Sequence, residues 1–315
     1  HRDLHSFPTR RSSDLQHFSL SASHRARVVP NIRGVGRYAL RFFSNSQVRS
    51  GLKVERYRGE GSEFESMREY LPGFDTRTID WKTSARKAKM YCRQFRAERN
   101  HEVILALDCG RLMAAQLQSI TKLDYAINSL LFIAYCAIKS GDQVGFMAFS
   151  DKVHQYLRPH SHISTLDKIS RQCETISYDF HETNFVISME YLLSQQKKRA
   201  LVIVLTDFVD TISAELMKDF VGLVARRHLV LFVAIRDPFL DQNLQTPTQT
   251  LLDLHKHVAC YHLKDERFVL FSDLKRLGIH CLDLLPDEIS IPVVNRYMEI
   301  RSEEHTSELQ SRQSI

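Results

Sequence analysis

The sequence predicts an α/β fold in which a mostly parallel sheet is covered by helices on both faces. Two observations carry this. Short runs such as "HEVILALD" (101–108), "QVGFMAFS" (143–150), "RALVIVLTD" (199–207) and "LVLFVAI" (229–235) are apolar with little alternation, the pattern of strands buried on both faces. Between them lie longer segments with helical spacing, so strands and helices alternate along the chain. A third observation bears on function. Two of the runs end on a carboxylate, Asp108 and Asp207. Ligands of such sheets sit at the carboxyl ends of the strands, where the strand order reverses, so the two acids are expected to converge.

Each element follows from local pattern. Residues 16–60 are basic and weakly patterned, with a pair of edge strands expected at 47–57. Residues 61–100 are dense in charge, and together 16–100 reads as an irregular or β N-terminal segment. The α/β domain proper is expected over 101–300. Core strands are expected near 103–108, 143–149, 200–206, 229–235 and 279–284, with a short antiparallel strand at 153–158. Apolar residues at 123, 127, 130, 131, 134 and 138 have helical spacing, and Gly141 ends that helix. Helices are also expected at about 162–176, 184–196, 213–227 and across most of 247–277. A closing helix is expected from Pro286, a residue suited to a first helical position.

The ends of the chain stand apart. Read back into codons, residues 1–15 and 301–311 match two sequencing-library adapters in frame. Residues 1–15 and 301–315 are therefore set aside as artefact, which leaves 16–300 as a fragment open at both ends.

Composition is that of an ordinary soluble globular protein, 43% hydrophobic and 25% charged. A net charge of +6 permits an anionic neighbour without requiring one. The cysteines, at 92, 109, 136, 173, 260 and 281, form no C-x-x-C pair, and several lie in apolar runs. They read as reduced, buried thiols, not as a zinc site or a disulfide framework. No run approaches the roughly 18 apolar residues of a membrane span.

An Asp after the first core strand, a Thr in a later loop and Thr-Asp after a later strand are similar to the von Willebrand factor A fold. There a metal-ion-dependent adhesion site combines D-x-S-x-S with a Thr and an Asp. The matching positions are Asp108, Gly110, Leu112, Thr183 and Asp207, and both serines are absent. Magnesium wants near-octahedral oxygen coordination. Two carboxylates and one hydroxyl leave most of that to water, and Arg111 brings a positive charge into the same loop. At most a degenerate site of Asp108, Thr183 and Asp207 is expected; no bound cofactor is expected, and Mg2+ is the one such a site would take. The preferred reading of Asp108 is that it accepts N–H bonds from its own turn and caps the helix after it, with Thr183 as its partner.

A closer resemblance covers nearly all of 28–300. The block "GEGSEFESMREYLPGFDTRTIDWKTSARKAKMYCRQFRAERN" (59–100), followed by "LDCGRLM", "KLDYAINSLL" and "GDQVGFMAF", resembles the bacterial domain-of-unknown-function 58 family. The family's Asp-x-Gly-Arg-x-Met turn accommodates Gly110 and Arg111. Phe74 stands where the family usually has the first of two acids, leaving Asp75. The resemblance implies a von Willebrand A-like (Rossmann-like) domain and a MoxR-type AAA+ ATPase as partner. It also implies a place at the cytoplasmic face of the bacterial inner membrane, held by helices absent from this fragment.

Within 59–100, acids and bases are interleaved, whereas nucleic-acid surfaces are usually one-signed; no nucleic acid is expected. The bland reading is a solvated edge of weak ion pairs. The functional reading is a partner surface built from Arg68, Tyr70, Asp75, Arg77, Asp80, Trp81 and Arg86, in which the lone Trp and the Arg residues have hot-spot composition. A phosphate pocket of Arg77, Lys82 and Arg86 is a third.

No nucleophile motif occurs, and no catalytic residue is assigned. "HSH" (160–162) and "HKH" (255–257) have poor spacing for a metal and read as surface. The expectation is a non-catalytic protein-interaction module. A metal-dependent ligand-binding domain is the alternative, and a metal-dependent hydrolase with Asp210 beside Asp108 and Asp207 is a further one.

Overall fold

The computed structural model describes residues 58–71, 76–96, 101–117, 120–176, 181–208 and 211–313. The strands expected at 47–57, together with Phe74, Asp75 and Asp210, lie outside the described residues.

The charged block contains a two-stranded antiparallel sheet, β1 (Arg58–Glu69) with β2 (Tyr91–Arg96). Between them come a 3-10 turn (Thr76–Thr78) and the short helix α1 (Trp81–Lys87). Sequence pattern did not single out β1, because "RGEGSEFESMRE" is rich in Gly, Glu and Ser, which are poor strand formers.

The core is a six-stranded sheet whose strands are β3 (Glu102–Asp108), β6 (Gln143–Phe149), β7 (Val153–His160), β8 (Leu201–Thr206), β9 (Leu229–Ile235) and β10 (His280–Leu284). Two tiny strands, β4 (Gln116–Leu117) and β5 (Ile120–Thr121), pair separately after β3. Strand order is β10-β9-β8-β3-β6-β7, parallel throughout except for the antiparallel edge strand β7. After β7 the chain crosses to the far side of β3, so the order reverses at β3 and its neighbour β8.

The other α-helices are α2 (Lys122–Lys139), α3 (Ser164–Thr175), α4 (Phe185–Gln195), α5 (Thr211–Ala225), α6 (Pro238–Gln245), α7 (Leu251–Arg276) and α8 (Ser290–Gln313). Side chains alternate across a strand, so each core strand feeds two cores. Val103, Leu105 and Leu107 pack with α2, α3 and α8 on one face. Ile104 and Ala106 pack with α4, α5 and α7 on the other. Burying a large aliphatic side chain is worth roughly 1.5–3 kcal/mol, which is why these runs tolerate no alternation.

Two boundaries differ from the sequence expectation. Pro286 opens a 3-10 turn (Pro286–Glu288), and α8 starts at Ser290. Pro286 is itself buried, so the turn serves to seat it before the helix begins. The helical stretch expected at 247–277 has a separate helix in front of it. That helix, α6, is capped by Asp237, whose carboxylate accepts from Phe239 N, with Pro238 at its first position. Among the described residues no helix is long and apolar enough to cross a membrane. All six thiols are free, and five are buried.

Candidate functional site

The sheet brings Asp108 and Asp207 together. Leu107 pairs with Leu205 across β3 and β8. The next residue on β8, Thr206, therefore lies beside Asp108, and Asp207 follows at the same carboxyl edge. Both acids are almost fully buried, at 1% and 3% exposure.

Asp108 is held by three donors. Gly110 N and Thr183 Oγ1 donate to its Oδ1 at 2.8 and 2.7 Å, and Thr206 Oγ1 donates to its Oδ2 at 2.5 Å. Burial pushes its carboxyl up to about 6; the three hydrogen bonds pull the other way, and the charge of Asp207 adds to the rise. The expected Thr183 partnership and the bond from the Asp108 turn are both present. The cap is not: Asp108 holds a turn over 111–114, and the helix after it, α2, is capped by Thr121 in a capping box with Asp124.

Gly110 stands where the first serine of the adhesion motif would be. A Cβ there would meet Thr183 Oγ1 at 2.1 Å. The hydroxyl that bonds Asp108 fills the space of the missing side chain, so the glycine is required by close approach and not by its dihedral angles. Arg111 points to the loop carrying Thr183: its Nη2 donates to Glu182 Oε1 at 3.2 Å, and both side chains are exposed.

Asp207 is held differently, by cations of the chain itself. Lys122 Nζ lies 2.5 Å from its Oδ2. Arg267 Nη1 lies 2.8 Å from its Oδ1, which also accepts from Phe208 N. Arg267 continues to Asp283 Oδ1 at 2.8 Å and to Phe208 O at 3.0 Å, with its guanidinium over the Phe208 ring. Lys122 and Arg267 are 5% and 7% exposed, and charges that deep are found only when paired. Both oxygens of Asp207 thus face a cation of the protein.

Sequence reasoning missed Lys122, Thr206, Arg267 and Asp283. A signal existed for two of them. Lys122 is a lone base at the first position of an apolar helix, where the helix dipole disfavours a cation, so a nearby acid has to hold it. Arg267 interrupts the stripe Cys260, Leu263, Leu270, Phe271 and Leu274 at the spacing that faces the core.

The sequence-derived partner surface is spread over two elements. Asp80 is 7% exposed, caps α1 through Thr83 N at 2.9 Å and pairs with Arg93 Nε at 2.8 Å. Trp81 is 69% exposed at the start of α1, and Arg86 is exposed in its last turn. Arg68 and Tyr70 are half-buried, Tyr70 with its N–H on Met90 O at 2.7 Å. Arg77 lies in the 3-10 turn. Lys82 is exposed beside Trp81, and His160, His162 and His255 are exposed, with His257 half-buried.

Comparison with known proteins gives one family. The family described as "Protein of unknown function DUF58" matches residues 66–257. Uncharacterised proteins of Mycobacterium tuberculosis and Mycobacterium bovis are 24% identical over 191 residues, 57% of this chain and 56% of theirs. The chain thus matches just over half the length of these relatives. Among solved structures, an aerotolerance-related membrane protein from Bacteroides fragilis is 15% identical with a TM-score of 0.39, covering 64% of this chain and 99% of that one. BatB from Bacteroides thetaiotaomicron is 16% identical with a TM-score of 0.39, covering 66% and 100%. A von Willebrand factor type A structure from Catenulispora acidiphila is 9% identical with a TM-score of 0.36, covering 64% and 42%.

Proposed function

Since the chain belongs to the family described as protein of unknown function DUF58 and carries a von Willebrand A-like sheet, we propose that it is a non-catalytic protein-interaction module working with a MoxR-type AAA+ ATPase. One observation carries the non-catalytic half of this reading: Lys122 Nζ sits 2.5 Å from Asp207 Oδ2, with Arg267 on the other oxygen. An ammonium and a guanidinium stand where a metal-dependent site needs open carboxylate lone pairs. A divalent cation would have to enter against two positive charges, and Gly110 leaves no room for the missing serine hydroxyl. We therefore read the site as one that an internal cation keeps closed, with no hydrolytic step routed through it.

The partner half rests on the family resemblance and on Trp81, a large apolar side chain left 69% exposed. Trp and Arg anchors typically cost at least about 2 kcal/mol of binding when truncated, whereas exposed substitutions usually change stability by under about 0.5 kcal/mol. Trp81→Ala and Arg86→Ala are expected to weaken capture of the cognate ATPase in a pull-down while melting as the parent does. If both variants bind as the parent does, α1 is a solvated edge and the partner surface lies elsewhere. The convergence of Asp108, Thr183 and Asp207 favours a second reading, a metal-dependent ligand-binding domain, which a magnesium titration separates from the first. From the family resemblance we propose that the module works at the cytoplasmic face of a bacterial inner membrane, which cell fractionation would check.

A further inference from the structure

We propose that the cavity between α6, α7 and the carboxyl ends of β9 and β10 binds a small phosphate monoester. The cavity has a volume of about 270 Å³ and lies beside the Asp207 site, sharing Arg267 with it. Its lining holds four cations, Arg236, Lys264, Arg267 and Lys275, against two carboxylates, Asp241 and Asp283. Arg267 is also opposed by Asp207, outside the lining, so the excess is smaller than two charges but keeps its sign, and it favours an anion such as a phosphate monoester, which carries close to −2 at neutral pH.

Two further features favour an acceptor-rich anion. The Nε of Arg267 and the Nε of Arg236 are both buried and make no hydrogen bond in the described structure. Arg236 Nε stands 3.2 Å from Asp241 Oδ2, an ion pair without hydrogen-bond alignment. Arg267 itself is 7% exposed. A buried guanidinium donor without an acceptor costs stability, and phosphate oxygens, like carboxylates, are strong charge-assisted acceptors for it. Lys275 is exposed at the rim and forms no ion pair among the described residues, so its charge is available to an incoming anion. The remaining wall is apolar. Phe268, 70% exposed, offers a face for the organic part of the ester. This site is separate from the α1 surface proposed above, and neither depends on the other.

The experiment is calorimetric titration of phenyl phosphate into the whole chain, with inorganic phosphate and phenyl sulfate alongside. Saturable binding of phenyl phosphate is expected, tighter than that of inorganic phosphate, which lacks the ring, and of phenyl sulfate, which carries one charge less. Affinity should fall with added salt. Lys275→Gln and Arg236→Gln should each weaken binding by at least about tenfold, and Lys275→Gln should melt as the parent does because its side chain is exposed. Lys168→Gln, on α3, should bind as the parent. No saturable binding to the parent overturns the proposal, as does equal affinity in Lys275→Gln, Arg236→Gln and Lys168→Gln.

Discussion

At the residue scale, the site is a set of close approaches that each substitution should report separately. Adding a Cβ at position 110 meets Thr183 Oγ1 at 2.1 Å. Gly110→Ala is expected to cost about 1–3 kcal/mol, the usual range for overpacking. Thr183→Ala in the same chain should return part of that loss, and a double-mutant melting cycle would measure the coupling. Lys122→Met leaves buried Asp207 with one cation instead of two. Breaking a buried pair typically costs about 3–5 kcal/mol; Arg267 remains, so a fall at the lower end is expected. That corresponds to roughly 6–12 °C in Tm for a domain of this size. Asp108 carries a pH signature. Its folded pKa, about 6, lies above the ordinary carboxylate value because burial disfavours the charged form. The folded state therefore binds the proton more tightly. This group's contribution to stability is fully present below about pH 4, declines as pH rises to about 6 and stays flat above that. Asp108→Asn keeps acceptors for Gly110 and Thr183, and its melting temperature relative to the parent should rise between pH 4 and 6. A parallel pair of curves would mean that Asp108 does not titrate in that window.

At the element scale, what the sequence revealed depended on how strongly each element is patterned. The core strands could be read because they are apolar on both sides, and α2 because its apolar stripe runs for five turns before Gly141. Strand β1 could not, since its polar composition carries no period that marks burial. Helix α6 is eight residues long, too short to show a stripe, and only Asp237-Pro238 marks its start. The C-terminal helix raises a sharper question. Residue 301, set aside with the adapter-like tail, has contacts: Arg301 Nε lies 3.1 Å from Asp142 Oδ2, and its Nη2 donates to Ser140 O at 2.8 Å. Asp142 is fully buried and also accepts from Tyr297. A chain ending at Arg301 should melt within about 2 °C of the parent. A chain ending at Ile300 should melt earlier, because it leaves Asp142 without its cation. Equal melting of the two would make the Arg301 contact dispensable.

At the scale of the whole molecule, the fold was legible and the site only partly so. Asp108 and Asp207 were found because each ends or follows a strand of the sheet, and Thr183, in the loop before α4, because it matches the Thr of the adhesion motif. Lys122 and Arg267 were missed because their role depends on a contact between the start of α2, the middle of α7 and the end of β8, which no local window contains. Those two cations decide the central proposal, that the carboxyl edge of this sheet is closed by its own charges and works without a metal. The most direct test is the melting temperature and titration heat of the intact chain with magnesium, then manganese, at millimolar concentration. The account predicts no heat of binding and no shift. A stabilisation of about 2.7 kcal/mol would place the metal near 100 times its dissociation constant. If Asp207→Asn abolished that gain, the closed-edge account would be contradicted.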